Sequence, residues 1–473
     1  MKRSKHSLSH YHLTTFDMGQ LIPVGCVEAL PGDTFQQQTS AFIRVTPQLK
    51  PLMHPVQVRI HHFFVPNRIV WSGWEDFITG ESATPPPTIS GAAHSEGTLS
   101  DYLGIYDDPS NDYSALPIRA YNLIFNHFFR DQDLVTEVSE DSNVVQNISW
   151  AKDYFTSARP WPQKGSAVTI PIGDTAPVVT SNTAVQMKGT TENISRGLVV
   201  QSSDNEVYLQ GYGGAGDEAL KFGSDTGLQA DLSNADQIDI RDFREAFALQ
   251  RYQEARARYG SNYVDYLRYC GIRPSDGRLQ RPEYLGGGKQ TVAFSEVLNT
   301  SETDTGQLVG HGVAALRSNR YRRFFEEHGW VMSLMSVRPK SIYVNALPRK
   351  LTRTTKEDYF QKELQFIGQQ EVYNKEAYSA HSTPDAVFGY ADRYREYKEE
   401  QSFVSAEMRN STNYDFHMGR IFSSDIALNQ AFVECSPTKR AFADQTEDSL
   451  WCMVNHSIQA RRLVSRSSKS RII

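Results

Sequence analysis

Two-residue periodicity near both ends of the chain, with long irregular connections between, most constrains what this sequence can fold into. Val56, Val58, Ile60, His62 and Phe64 alternate with Gln57, Arg59, His61, Phe63 and Val65, the spacing of extended chain. Strand-like runs at 21–27 and 34–45 precede them, divided by the turn signal Leu30-Pro31-Gly32-Asp33. Strand signals return at 291–298, 331–337, 342–347, 416–422, 431–435 and 450–458. A doubly wound α/β fold would need regular strand–helix alternation, and the sequence has none. The expectation is an all-β-dominated chain: an antiparallel sandwich carrying long insertions that contain helices.

The insertions have their own signatures. Over 117–131 the period changes, placing Ile118, Tyr121, Ile124, Phe125, Phe128 and Phe129 on one helical face, with Pro117 suited to its start. Residues 165–237 hold 10 glycines and three aromatics, Tyr208, Tyr212 and Phe222. A stretch of average composition would carry about eight aromatics. It reads as a thin, β-rich excursion with little core of its own. Ile240, Phe243, Phe247 and Ala255 then mark a helix over 239–259, stopped by Gly260, and a second helix starts at Ser261 and ends before Gly271 and Pro274. Four segments follow: 1–164 and 291–473 as the two parts of the sandwich, 165–237 as a variable surface insertion, and 238–290 as a helical insertion closing on a Gly-rich turn.

Charge separates the ends from the middle. The chain of 473 residues has a net charge of −6, which argues against a globally basic nucleic-acid binder. Residues 1–16 nevertheless carry Lys2, Arg3 and Lys5, and residues 456–473 carry Arg461, Arg462, Arg466, Lys469 and Arg471, with no acid in either. Acid-free basic tails can neutralise phosphates without being folded. With 24 Phe, 23 Tyr and 6 Trp there is ample core material, and no apolar run approaches the length of a membrane span. The N-terminus lacks the apolar stretch of a signal peptide, so a soluble, unsecreted protein is expected. Cys26, Cys270, Cys435 and Cys452 are scattered and suggest buried, reduced side chains.

Catalytic motifs are absent. Gly211-Tyr212-Gly213-Gly214-Ala215-Gly216 matches the dinucleotide fingerprint, but no adequate helix follows it to meet a pyrophosphate. Gly286-Gly287-Gly288-Lys289 resembles the end of a phosphate-binding loop, yet Gln290 replaces its Ser/Thr and Glu283 its first glycine, so a tight turn is expected. His61 and His62 would point to opposite faces of a strand and cannot chelate together. No metal site, cofactor site or nucleophile elbow is indicated.

Several blocks together resemble the major capsid protein of the Microviridae, small single-stranded DNA bacteriophages, particularly the gokushovirus-like branch. They are Phe16-Asp17-Met18-Gly19 with Leu21-Ile22-Pro23; Leu30-Pro31-Gly32-Asp33-Thr34-Phe35; Phe63-Phe64-Val65-Pro66-Asn67-Arg68 with Trp71, Trp74 and Phe77; and Asp153-Tyr154-Phe155-Thr156-Ser157 with Pro160-Trp161-Pro162-Gln163-Lys164-Gly165. Arg278 to Gly288, Glu327-His328-Gly329, Ser336-Val337-Arg338-Pro339 and Val387-Phe388-Gly389-Tyr390 continue them in the same order. The resemblance implies an eight-stranded jelly roll, and pentamers building a sixty-copy T=1 shell around circular single-stranded DNA. It also implies an internal scaffolding protein, a small basic packaging protein, a DNA pilot protein, a possible host surface receptor, no cofactor and assembly in the bacterial cytoplasm. Lys2, Arg3, Lys5, Arg461, Arg462, Arg466, Lys469 and Arg471 are the residues expected to face the genome. The stretches 320–325 and 390–397, rich in Tyr and Arg, are expected interface anchors. The rival readings are a jelly-roll carbohydrate-binding protein and a β-sandwich hydrolase.

Overall fold

The computed structural model describes residues 3–105, 111–169, 240–298 and 308–466, together with short strands between them. The chain divides into two compact units, 1–164 with 254–473, and 165–253.

The larger unit is built on two antiparallel sheets. Its strands of four residues or more are β1 (Ser4–Ser7), β2 (His10–Phe16), β3 (Leu21–Ala29), β4 (Thr34–Gln48), β5 (Val56–Pro66), β6 (Glu283–Thr291), β7 (Ala293–Leu298), β8 (Leu308–Arg317), β9 (Tyr321–Phe324), β10 (Gly329–Pro339), β11 (Gln369–Tyr373), β12 (Val387–Asp392) and β13 (Leu450–Arg462). In one sheet β13 lies beside β4, which pairs with β8 and then β7; β1 and β2 pair with the far edge of β13, and β9 with β4. The second sheet runs β6-β5-β10-β3. Strands β11 and β12 form a separate pair.

Alternation drives the packing of the two sheets. Along β4 the residues Phe35, Ala41, Ile43 and Val45 point inward while Gln36, Ser40, Phe42 and Arg44 point out. Ile43, Val45, Leu450, Cys452 and Val454 from the first sheet meet Ile22, Val24, Val56, Val58, Ile60, Met335 and Val337 from the second in one dry cluster. Each such buried aliphatic side chain contributes about 1.5–3 kcal/mol relative to exposure.

Towards the middle, the interior turns polar. Gln37 donates to Ser333 Oγ at 3.2 Å, Ser333 meets His62 Nδ1 at 2.8 Å, and Tyr321 donates to Gln37 at 2.7 Å. His456 reaches the Val24 carbonyl at 2.8 Å through Nε2, which must carry the proton, leaving Nδ1 to accept from Thr39 Oγ1 at 2.9 Å. Burial pushes His62 down to about 3 and His456 down to about 4, so both are neutral.

The outer face of the second sheet is covered. Helix α1 (Leu116–Phe128), with Pro117 in its first turn, lays Ile118, Tyr121, Ile124 and Phe125 against Leu21, Phe63, Val65, Met332 and Leu334. Tyr121 is fully buried, and its hydroxyl donates to the Leu21 carbonyl at 2.7 Å. Helices α2 (Ile240–Tyr259) and α3 (Tyr263–Tyr269) stand where the periodicity put them. In the smaller unit, the described strands Gln186–Gly189, Arg196–Val200, Val207–Leu209 and Leu220–Phe222 pair antiparallel, as do Val178–Thr180 and Leu228–Ala230. Gly211–Gly216 lies outside the described residues.

Four expectations change. Residues 342–347, 416–422 and 431–435 are not strands: Tyr343 and Arg420 make isolated bridges, 430–433 is one helical turn, and Tyr343, Phe432 and Val433 fill a third cluster with Phe155 and Phe388. Short apolar runs do not carry enough periods to specify a strand, and packing decides them. Gly286–Gly288 is not a tight turn but the middle of β6, where Gly286 (φ +135°) forms a bulge and a Cβ on Gly287 would lie 2.2 Å from the Ile60 carbonyl oxygen. Cys270 is exposed rather than buried. Finally, the N-terminal residues from Ser4 and the C-terminal ones to Arg462 are paired strands, where the acid-free composition suggested unfolded tails.

Candidate nucleic-acid interface

That last difference builds the site. Strands β1 and β13 run antiparallel, so Lys5 stands opposite Arg461 and Ser4 opposite Arg462. The two basic ends of the chain are thereby brought to one edge of one sheet.

Their cations do different work. Arg462 is turned inward: its Nε meets Asp33 Oδ2 at 2.9 Å, it donates to the Glu28 carbonyl, and its guanidinium lies over Phe35 at 5.4 Å. Asp33 is fully buried, so this pair is a structural lock between β13 and the β3–β4 turn. Arg3 donates to the Gly32 carbonyl at 2.9 Å and to Thr34 at 3.0 Å and lies over Phe324. Arg466 reaches the Lys5 carbonyl at 3.4 Å. Lys5 and Arg461 project from the exposed face. Lys2, Lys469 and Arg471 lie outside the described residues.

The exposed face continues across the first sheet. Register puts Phe42 beside Met453, Arg44 beside Trp451, Leu13 beside Met453 and Arg317 beside Ser40. Tyr11 (67% exposed), Leu13 (74%) and Trp451 (54%) form an open aromatic and apolar area flanked by Arg44 and Arg317. The strands β1, β2, β4, β8, β9 and β13 contain no aspartate or glutamate at all. In a chain with more acids than bases, six such strands are a marked local bias towards positive charge. At its apolar end lies a cleft of about 620 Å³, where Glu96, Asp101 and Asp448 stand beside Phe42 and Trp451.

Sequence reasoning found the terminal cations but not Arg44, Arg317 or the exposed rings. The signal was present: apart from Met453, alternate residues of 34–46 and 451–461 are polar, basic or aromatic, and none is acidic.

A face of this kind suits a flexible polyanion, since cations track phosphates and rings stack on bases. A family model described as "Capsid protein (F protein)" matches residues 1–471. The chain belongs to the phage F capsid protein family. It is 34% identical to the capsid protein VP1 of Bdellovibrio phage phiMH2K, covering 93% of this chain and 89% of that one. The VP1 capsid proteins of Chlamydia phage 1 and Spiroplasma virus 4 are each 30% identical, covering 96% and 86% of this chain and 92% and 83% of theirs. The resemblance to Microviridae capsid proteins therefore holds. This member of the family is a structural virion protein rather than an enzyme, and the carbohydrate-binding reading has no support. No helix among the described residues is long and apolar enough to cross a membrane.

Proposed function

We propose that this capsid protein forms a sixty-copy T=1 shell, assembled through pentamers in the bacterial cytoplasm, with its acid-free sheet face turned to a circular single-stranded DNA genome. The absence of any carboxylate from six strands of one sheet carries the orientation, because a surface facing packed phosphates gains from every cation and loses from every acid. Lys5 and Arg461, joined by Arg44, Arg317 and the outlying Lys2, Arg3, Arg466, Lys469 and Arg471, contact the strand. Arg462 contributes through the fold.

Strand order supports an eight-stranded jelly roll. The sheets β2-β13-β4-β8 and β3-β10-β5-β6 are joined so that the chain changes sheet at every step except β5 to β6. Exposed rings support subunit contacts at the helical insertion: Phe243 and Phe247 pack edge to face at 4.6 Å in the open, and Tyr259, Tyr263 and Tyr269 are exposed. Of the stretches 320–325 and 390–397, exposed Phe324 and Tyr397 serve the same contacts, whereas Tyr321, Phe325 and Tyr394 are taken up by the subunit's own interior. Residues 165–237, the variable insertion, serve attachment to the host receptor. The acidic cleft beside Trp451 supports a small basic packaging protein as a partner, and cations or such a protein must balance most of the genome charge. A scaffolding protein and a DNA pilot protein complete the assembly.

Sedimentation and negative-stain imaging of the chain co-expressed with its phage partners test this reading. Isometric megadalton particles holding nuclease-protected DNA are expected; small oligomers alone would overturn it. Deleting 165–237 should preserve shells and reduce host attachment, and loss of shells would make that segment an assembly element.

A further inference from the structure

A second concentration of positive charge lies on the outer face of the other sheet. There a cavity of about 780 Å³ is bounded by β5, β10, β6, the end of α1 and residues 148–152. Its floor is set by strand alternation: Val56, Val58 and Ile60 enter the sandwich core, so Gln57, Arg59, His61 and Phe63 face the cavity. Register on β10 places Ser336 opposite Arg59 and Arg338 opposite Gln57, which makes the two arginines diagonal neighbours on one surface.

Five cations and one carboxylate line this cavity. Three of the cations are answered locally: Arg281 by Asp276, Lys152 by Asp131, and Arg268 by Asp265 at 3.6 Å. Arg338 donates to the Ser149 carbonyl at 2.8 Å and, among the described residues, has no carboxylate partner. Arg59 has no ion pair among the described residues, and its buried Nε makes no hydrogen bond. Two guanidiniums on adjacent strands, partly withdrawn from water and without a counter-charge, are an arrangement that a folded chain keeps at a cost. The local potential has a visible consequence: burial, then Arg59 and Arg338, push His61 down to about 4, so the imidazole beside them is neutral. Burial and the charge of Arg59 also lower Arg338.

The rest of the wall is aromatic. His61 meets the Phe129 ring at 5.5 Å and the Tyr284 ring at 5.8 Å, and Phe63 meets Tyr284 at 5.3 Å. Tyr284 keeps 44% of its surface exposed, leaving a ring face open at the mouth. Inorganic phosphate would fill only a small part of such a volume, whereas small-molecule sites commonly span about 300–1,000 Å³. A flat ring beside a fork of two guanidiniums matches a base attached to a phosphate, through stacking and charge-assisted bonds together. An acidic peptide would satisfy the arginines but leave the rings unused.

We propose that this cavity is a nucleotide site, with Arg59 and Arg338 holding the phosphate and Tyr284, packed on His61 and Phe63, receiving the base. The site is separate from the acid-free sheet face, and its occupant is either a free nucleotide or one residue of a nucleic-acid strand.

Titration calorimetry of purified shells with dAMP, deoxyadenosine and inorganic phosphate tests the assignment. dAMP should bind, deoxyadenosine should not, and phosphate should bind at least about tenfold more weakly than dAMP, since it lacks the stacked base. Arg59→Gln and Arg338→Gln should each weaken dAMP by about tenfold or more, the scale of one charge-assisted bond, with shells and melting temperature retained. Tyr284→Ala should weaken dAMP while leaving phosphate unchanged, a readout that a general folding defect would not produce. Comparison of DNA-filled and empty shells then separates the sources: a site filled by the genome is blocked in filled particles, and a free-nucleotide site is open in both. Absence of dAMP binding to empty shells at millimolar concentration, equal binding by the arginine variants, or binding of a glutamate-rich peptide in place of dAMP would overturn the assignment. Any of these results leaves the genome-facing role of the other sheet untouched, because that role is read from the salt slope of single-stranded DNA binding by Arg44, Arg317 and Arg461 variants.

Discussion

The two sheets of the sandwich share one core but differ on their outer faces. Strand β13 alternates buried and exposed residues along its length, with Trp451, Met453, Ser457 and Arg461 open to solvent. Strand β10 is buried on both sides, from Val331 to Val337, because α1 and its neighbours cover it. One-sided burial leaves a face free to evolve a charge pattern, and two-sided burial commits both faces to packing. The first sheet can therefore carry a long acid-free surface. The second is largely covered at its centre and opens at the cavity around Arg59 and Arg338.

The largest expected effect breaks that comparison at its edge. Arg462→Ala removes the partner of fully buried Asp33 and should cost about 3–5 kcal/mol in chemical unfolding. Arg461→Ala, the next residue on the exposed face, should change stability by less than about 0.5 kcal/mol. Equal losses would mean that the two arginines are not divided between fold and surface.

Across the two faces, Leu334→Ala should cost about 2–5 kcal/mol through a cavity under α1. Trp451→Ala, whose ring is more than half exposed, should cost far less in the isolated subunit.

Acid sharpens the polar centre that both sheets share. His62 and His456 there, and His54 in the β4–β5 connection, are held at about 3, 4 and 4 by burial, below the ordinary value of 6.5. Between about pH 4 and 6.5 the unfolded chain binds more protons than the folded one, so stability is full above pH 6.5 and falls as pH drops through this window. Each group adds a slope of about 1.4 kcal/mol per pH unit where its linkage is complete. Replacing His62 by Gln should flatten the acid limb of a pH–stability curve.

The smallest effect is electrostatic. Arg44, Arg317 and Arg461 changed together to Gln should lower the salt slope of single-stranded DNA binding by about 2, the value for three lost contacts at about 0.7 each. The same triple change should leave nucleotide binding at Arg59 and Arg338 as it was.

Much of this was legible in the chain alone. The alternation at 56–65 and the 3.6-residue period at 117–131 specify their elements because each holds several full periods with one buried face. The blocks from Phe16 to Tyr390 carried the family. Strands β2 and β8 were not legible: His10–Phe16 is half polar, and Leu308–Arg317 is diluted by Gly310, Gly312, Ala314 and Ala315. Both are strands because longer neighbours, β13 and β4, supply their hydrogen bonds. The runs near 343, 420 and 432 failed in the opposite sense, being apolar enough for strands but recruited to a loop-built core.

By itself, the sequence determined the fold class, the helices of the insertions, the absence of catalytic motifs and the family, because each is written in local period or contiguous blocks. Only the tertiary structure decided that the two basic ends are neighbouring strands, that six acid-free strands share one sheet, that Arg462 belongs to Asp33, and that Arg59 and Arg338 stand together without a carboxylate partner among the described residues. Each of these depends on which distant strand pairs with which. That choice is made by cross-strand hydrogen bonding and shared burial between segments hundreds of residues apart, where no local pattern records the partner.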